Sequence, residues 1–297
     1  MTATTYLILF QIILILWSAS GLVAKMMSLS SESLTFYRML ISTVIFIAIS
    51  KTQKHIPTRN TLASRNLALL SGLFLTLHWW AFFESIKVST VSIGVICLSA
   101  CPFFTTLIEP IYKRKTMSLY NIILSSLAVS GISIIFHFES HYKSGIALGL
   151  FGSLTLAINT IITEELSKKI SPTLIIKYQM LSGSILGFLW FFITDSFETL
   201  IIKNYFDLGG VFFLSLFCTS FTMWFNVKCL KVLGSFSIVL SANMESIYGI
   251  ILALVFLGQS EYMHTGFYWG SLILILTVFI DWYFRHSIHK NSQHPQT

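Results

Sequence analysis

One apolar stretch near the C-terminus constrains the fold more than any other part of the chain. It runs from Leu233 to Gly258 and is long enough to cross a bilayer, since about 20 apolar residues span a hydrocarbon core of roughly 30 Å. Glu245 lies in its middle. A charged group at that depth costs about 2.5 to 3.5 kcal/mol, so the carboxylate is expected to face protein or water rather than lipid.

Nine further apolar runs of similar length divide the rest of the chain. Soluble domains carry about 25% charged residues, whereas this chain has 10% charged and 55% hydrophobic residues, so a soluble fold is excluded. The sequence therefore predicts an all-α polytopic membrane protein with ten transmembrane helices. The nine other runs cover approximately residues 6–25, 34–49, 66–86, 90–112, 119–136, 145–163, 173–194, 209–229 and 266–284.

The distribution of lysine and arginine predicts the orientation, because cytoplasmic loops carry an excess of both. With both termini in the cytoplasm, 13 of the 19 basic residues fall on the inner side and 4 on the outer side. The net charge of +7 is explained in this way and does not indicate binding to nucleic acid. The inner residues are Lys51, Lys54, Arg59, Arg65, Lys113, Arg114, Lys115, Lys168, Lys169, Lys228, Lys231, Arg285 and Lys290, and the outer residues are Lys25, Lys87, Lys143 and Lys203.

Two weak internal matches indicate a duplicated unit, although chance similarity in an apolar sequence is the alternative. Residues 86–88 (IKV) reappear as 230–232 (LKV), and residues 37–40 (YRML) reappear as 178–181 (YQML). Each unit holds five spans, an odd number, so the second copy enters the membrane from the opposite side. Such inverted repeats place a binding site near the midplane between the two halves.

The duplication sets the expected domain boundaries. The first five-helix repeat is predicted to cover residues 5–137 and the second to cover residues 144–286. The polar residues 287–297 are predicted to form a disordered cytoplasmic tail.

Three ionisable residues inside the apolar runs are candidates for the binding site. Glu245 is predicted to bind substrate or exchange a proton, although a neighbouring helix could instead satisfy it. Arg38 could bind an anionic group or pair with Glu245, with extension to the headgroups as the alternative. His78 could relay a proton, and the alternative is a structural histidine bonded to a backbone carbonyl.

Aromatic and amide side chains complete the predicted site. Trp80 and Trp224 occupy matching places in the two repeats and could stack on a ligand from opposite sides, unless they only pack or face lipid. Four neutral amides inside the runs could bind the solute or join helices to each other. They are Asn159, Gln179, Asn226 and Asn243.

Other features exclude alternative chemistry or are assigned to structure. The four cysteines lie within apolar runs and are expected to pack as small hydrophobic residues, so no metal or cofactor is predicted. Glu109 lies one helical turn before Lys113 and is expected to pair with it. Motifs typical of zinc proteases, phosphate-binding loops, serine hydrolases and potassium filters are absent, and no enzymatic activity is predicted.

The chain resembles the EamA-like branch of the drug/metabolite transporter superfamily over nearly its whole length. Residues 37–39 (YRM) resemble the arginine-bearing second helix of that family, and residues 98–110 (LSACPFFTTLIEP) its fourth helix. Residues 244–246 (MES) and 256–259 (FLGQ) resemble the Leu-Glu-Pro and Leu-Gly-Glu pair of the second repeat. Ser246 and Gln259 depart from the usual proline and glutamate.

The resemblance implies a secondary transporter, an exporter or exchanger of a small organic solute in a bacterial inner membrane. Alternating access is the expected mechanism, and Glu245 and His78 are the candidates if transport is coupled to protons. A passive facilitator or channel built from the same helices is the first alternative. A membrane-embedded enzyme or sensor is the second, and a sensor would usually need a soluble output domain.

Overall fold

The computed structural model describes residues 3–52, 61–114, 116 and 119–292. Within this part of the chain the regular elements are all helical. Eight helical segments of the described residues are long and apolar enough to cross a membrane, and two shorter apolar segments accompany them. The chain is therefore a polytopic membrane protein. Lys54, Arg59 and Lys115, which contribute to the predicted charge bias, lie outside the described residues.

Each predicted run overlaps the observed helices, although Thr90 and Gly234 lie outside them. The helix α12 continues to Ser292, and residues 293–297 lie outside the described residues, so the disorder of the tail stays a prediction. The helices are α1 (Ala3–Met26), α2 (Ser31–Thr52), α3 (Leu62–Val88), α4 (Val91–Leu98), α5 (Cys101–Lys113), α6 (Leu119–Phe138), α7 (Lys143–Ser167), α8 (Pro172–Thr194), α9 (Tyr205–Ser215), α10 (Thr222–Leu233), α11 (Ser235–Leu257) and α12 (Thr265–Ser292).

Two of the predicted runs are interrupted near their middle. The fourth run is divided into α4 and α5 at Ser99 and Ala100, directly before Pro102, whose ring and missing N–H disrupt a helix interior. The eighth run is divided into α9 and α10 by a π-helical turn over Leu216–Phe221. Turns of this kind leave irregular backbone geometry inside a helix and are frequent at functional sites.

Polar contacts between helix ends and loops form two groups, at opposite ends of the bundle. In the first group, the ammonium of Lys87 donates to the carbonyl of Met27 (3.2 Å), and the carboxylate of Asp207 accepts from the N–H of Ser28 (3.0 Å). These contacts join the end of α3 and the start of α9 to the loop between α1 and α2. We call this side of the bundle the Lys87 end.

The second group lies at the opposite ends of the helices, and we call it the Lys113 end. Lys113 pairs with Glu109 (2.6 Å), which confirms that prediction, and also with Glu164 (2.8 Å) near the end of α7. The same Glu164 carboxylate accepts from the N–H of Ser235 at the start of α11 (3.0 Å). Since α7 has 25 residues at about 1.5 Å each, its two ends are separated by most of a bilayer.

Helices from the two halves of the chain interleave. The helix α2 packs against α8 and α9, α3 packs against α7 and α8, and α1 packs against α10 and α11. Contacts between α4 and α11 and between α6 and α12 also cross the division. The core therefore lies between the halves rather than inside each of them.

Close approach between α7 and α4 depends on a glycine of α7. A Cβ atom at Gly149 would lie 2.6 Å from the Cβ of Cys97, a distance at which neither backbone can stay in place. The absence of a side chain at Gly149 therefore sets the spacing of the two helices.

We predict that Gly149→Leu lowers the melting temperature of the purified protein. Overpacking of a tight helix contact costs about 1–3 kcal/mol, and here the clash involves a Cβ that cannot rotate away. Gly209→Leu is the matched control, because a Cβ at Gly209 meets no atom within 4 Å. Equal melting temperatures for the two variants would contradict the observed packing of α7 on α4.

Candidate functional site

A cavity of about 60 Å³ lies between α1, α2, α3, α4, α7, α10 and α11, so both halves of the chain form its walls. Its polar and ionisable lining contrasts with the apolar packing around it. It brings together five of the nine predicted site residues: Arg38, His78, Asn159, Asn226 and Glu245. The other lining residues are Trp17, Ser20, Leu75, Trp79, Phe82, Leu98, Leu156, Thr160, Met223 and Ala242.

The carboxylate of Glu245 faces this cavity without a protein partner. Glu245 is 8% exposed, and its carboxylate makes no hydrogen bond or ion pair with a described residue. The backbone around it is fixed, because Ser18 donates to the Glu245 carbonyl (2.9 Å) and Ser246 donates to the Val95 carbonyl (2.5 Å). The helix α11 thus holds a buried carboxylate whose hydrogen-bonding capacity is free for a ligand or a proton.

Arg38 is the second charged group of the cavity and is almost fully buried. Its guanidinium lies over the ring of Trp79, 4.2 Å from the centroid, and 5.0 Å from that of Phe83. Every N···O distance between Arg38 and Glu245 is longer than the 4.0 Å limit of a salt bridge, so the direct pairing considered above is not made. Burial to 2% exposure is also inconsistent with extension to the headgroups.

The π-helical turn between α9 and α10 supplies the polar partners of Arg38. The Nε of Arg38 donates to the hydroxyl of Thr219 (2.8 Å), and a terminal guanidinium nitrogen of Arg38 donates to the carbonyl of Cys218 (3.3 Å). Trp17 donates from its indole nitrogen to the same carbonyl (3.2 Å) and to the hydroxyl of Thr222 (3.0 Å). The irregular turn therefore holds Arg38 and Trp17 together at the wall of the cavity.

His78 is oriented by a backbone contact on α7. Its Nδ1 lies 2.9 Å from the carbonyl of Gly152, and its ring stacks on Phe82 with a centroid distance of 6.1 Å. A carbonyl can only accept, so Nδ1 carries a proton. In the neutral ring the other nitrogen, Nε2, then has a free lone pair. His78 thus combines a structural contact with a nitrogen that can accept a proton or a ligand donor.

Amide side chains tie α3, α7 and α8 together beside the cavity. Asn159 and Gln179 both donate to the hydroxyl of Ser71, at 3.2 and 2.5 Å, and Gln179 also donates to Thr163 at 2.8 Å. Gln179 is fully buried and does not line the cavity, so it supports Asn159 from behind. Asn226 does line it, and its side-chain oxygen has no hydrogen-bond partner in the part of the chain that the structure describes.

The remaining three candidates do not line this cavity. Trp80 donates to Glu32 (3.0 Å) on the other side of α3, and Trp224 has the ammonium of Lys228 3.3 Å from its ring centroid. The expectation that the two tryptophans enclose one ligand is therefore not met here. Asn243 is buried but points away, since it lies two residues, or about 200°, from Glu245 around α11.

Sequence reasoning missed Trp17 and Trp79. Trp79 could have been found, because it shares one face of α3 with Leu75 and Phe82 at spacings of four and three residues. Trp17 gives no such signal, because its importance depends on a carbonyl 201 positions away.

Comparison with known proteins agrees with this architecture. The sequence model of the EamA-like transporter family matches residues 4–137 and again residues 143–283. A solved crystal structure has a TM-score of 0.68 to this chain, covers 97% of it and 99% of its own length, and is 12% identical, which shows a shared fold. No curated protein matches.

The two family matches together cover most of the chain, and the described helices have the length and composition of a multi-pass integral membrane protein. The resemblance inferred from the sequence is thus confirmed. This chain belongs to the EamA-like transporter family, whose membrane fold suggests a transporter of small solutes rather than an enzyme.

Proposed function

We propose that this protein is a secondary transporter that moves a small organic solute across a bacterial inner membrane by alternating access. The observation that carries the proposal is the unpaired Glu245 carboxylate in a buried cavity that also contains Arg38 and His78. Buried ionisable groups inside membrane proteins are expensive and mark the paths of substrates, ions and protons. In this account the cavity binds the solute.

The proposal includes ten spans in two inverted repeats, over residues 5–137 and 144–286. The packing of the helices supports it, because exchanging the halves leaves the packing pattern unchanged. The contact of α3 with α7 corresponds to that of α1 with α10, and the contact of α3 with α8 corresponds to that of α2 with α9. The contact of α1 with α11 corresponds to those of α7 with α4 and α5. The contacts of α2 with α8, α4 with α11 and α6 with α12 each correspond to themselves.

The proposed orientation has both termini in the cytoplasm and the Lys113 end facing inward. Lys168, Lys169 and Lys231 lie at this end together with Lys113, as the positive-inside rule requires. Lys87 and its repeat counterpart Lys231 lie at opposite ends, which is the expected consequence of inversion.

Two buried carboxylates, of Glu261 and Glu164, hold the two halves together at opposite ends of the cavity. We call them the latch residues. At the Lys87 end, Glu261 accepts from the N–H groups of Val91 (3.0 Å) and Ser92 (2.9 Å) at the start of α4. At the Lys113 end, Glu164 pairs with Lys113 of the first half (2.8 Å) and accepts from Ser235 at the start of α11. Each acid joins the two halves, so alternating access requires the two sets of bonds to break in turn.

Within the cavity, the side chains have complementary roles. Arg38 suits an anionic group of the solute because a guanidinium binds carboxylate or phosphate bidentately. Glu245 and Nε2 of His78 suit proton exchange, and Asn159 and Asn226 suit neutral hydrogen bonds. The solute can be identified by measuring the binding of a panel of metabolites to the purified protein.

We predict that Glu245→Gln abolishes pH-driven accumulation of that solute in proteoliposomes while the protein still folds. The amide retains the size of the carboxylate but cannot exchange a proton, so accumulation should fall to the level of protein-free liposomes. Glu198→Gln, at an exposed acid between α8 and α9, is the control and should accumulate normally. Full accumulation by Glu245→Gln would remove Glu245 from the mechanism. Failure to exchange labelled for unlabelled solute would favour a passive channel.

We predict that each latch variant opens the cavity from its own side. Loss of charge-assisted hydrogen bonds costs about 1.5–3 kcal/mol, which changes the population of an open state by about tenfold or more. Glu261→Gln should therefore speed labelling of a cysteine placed at Ala242 by an impermeant maleimide applied at the Lys87 end. Glu164→Gln should do so from the Lys113 end.

The labelling experiment uses a background in which the four native cysteines are replaced, and right-side-out and inverted vesicles present the two ends separately. Glu198→Gln again serves as the control. Unchanged rates, or faster labelling from the wrong side, would show that these acids do not close the cavity.

A further inference from the structure

A second and larger cavity, of about 270 Å³, lies between α2, α3 and α8 towards the Lys87 end. It shares no lining residue with the central cavity. Four aromatic side chains form much of its wall: Phe36, Trp80, Trp190 and Phe191. Trp190 is half exposed on the outer surface of α8, next to further exposed apolar residues, so the cavity adjoins the surface that faces lipid.

Two polar groups in this apolar wall are only partly satisfied by the described residues. One carboxylate oxygen of the partly exposed Glu32 accepts from the indole nitrogen of Trp80 (3.0 Å), and the other has no hydrogen bond with a described residue. Thr35 is 3% exposed, and its hydroxyl is buried with no hydrogen-bond partner in the described part of the chain. A buried unpaired hydroxyl costs free energy, so Thr35 points to a ligand, and Glu32 adds a carboxylate to the same wall.

Among the described residues, the carboxylate of Glu32 has no direct counter-ion. Lys87 is near enough to interact electrostatically with Glu32, but its ammonium donates to the Met27 carbonyl and forms no salt bridge with Glu32. A negative charge among aromatic rings therefore stays available to a cation.

Glycines on α8 keep the space open. A Cβ at Gly187 would lie 2.6 Å from the ring of Phe36, and one at Gly183 would lie 2.6 Å from the hydroxyl of Thr76. Both glycines line the cavity. Larger residues at Gly183 and Gly187 would force neighbouring atoms to move, so the shape of the cavity depends on glycine at both positions.

We propose that this cavity is a binding site for a lipophilic organic cation, distinct from the central transport site. Apolar walls favour a hydrophobic body, while aromatic faces attract a cation and Glu32 pairs with its charge. A cation that has partitioned into the bilayer reaches the site beside Trp190. The carboxylate disfavours a fatty acid or an anionic lipid headgroup at the same place.

The test measures saturable binding of radiolabelled benzyltrimethylammonium to the full chain in lipid nanodiscs. Its neutral carbon isostere, neopentylbenzene, is the competitor that lacks only the charge. Glu32→Gln keeps an acceptor for Trp80 and should weaken binding by about tenfold or more, because a cation is paired with a carboxylate in a low dielectric. Neopentylbenzene should compete at least about tenfold less well than the unlabelled cation for the same reason.

Two control variants separate this site from its surroundings. Glu84→Gln removes an acid near the same end of α3 that does not line the cavity, and Glu245→Gln removes the acid of the central cavity. Both should bind the cation as the unaltered protein does. Leu73→Trp fills the cavity without changing charge and should abolish binding, which decides the matter if Glu32→Gln fails to fold.

Three outcomes would overturn the proposal. Unchanged affinity in Glu32→Gln or Leu73→Trp would show that the cation binds elsewhere. Equal competition by neopentylbenzene would show an apolar groove that lipid chains fill. Loss of binding in Glu245→Gln with normal binding in Glu32→Gln would assign the cation to the central cavity.

Discussion

Two opposite charges, on Arg38 and Glu245, are buried against one cavity without touching each other. Burial inside a membrane protein removes most of the hydration of both groups, and an unpaired buried charge is expensive. Arg38 is compensated by aromatic faces and by carbonyl and hydroxyl oxygens. Glu245 has no such compensation, and this asymmetry makes the carboxylate the group that a proton or a cationic part of a solute would satisfy.

Much of the surrounding structure can be understood as support for these two groups. The π-helical turn positions Thr219 and Cys218 for Arg38, and the serines around α11 fix the backbone of Glu245. Because these supports come from α1, α2, α4 and the α9–α10 turn, they require the two halves of the chain to interleave. Movement of one half against the other would therefore change the environment of both charges together, as alternating access needs.

The spans and the most informative acid could be predicted from the sequence, and much of the local geometry could not. Hydropathy finds the spans because a bilayer imposes a fixed length, and Glu245 is conspicuous because a charge interrupts an apolar run. Residue type points to Trp80, Trp224 and Asn243, and repeat position points to the two tryptophans, but neither property determines which helix face a residue occupies. The helical period would have separated Trp79 from Trp80 and Glu245 from Asn243.

Other features depend on contacts that no local pattern reveals. Glu261 lies two residues after Gln259, where the family pattern has its acid, and it binds the start of α4, 170 positions away. Glu164 directly follows the predicted run 145–163 and gives no sign in the sequence that it joins α5, α7 and α11 at the Lys113 end. The π-helical turn likewise depends on tertiary packing, since nothing in the sequence of residues 216–221 breaks a helix.

The most direct test of two antiparallel halves around a shared cavity is the sidedness of two matched turns. Val88 and Val232 follow the corresponding lysines of the two repeats and are 43% and 48% exposed. Single cysteines at these positions should react with an impermeant maleimide from opposite sides of the membrane, Val88→Cys from outside and Val232→Cys from inside. Labelling of both from the same side would contradict the inverted arrangement and with it the central cavity as a transport site.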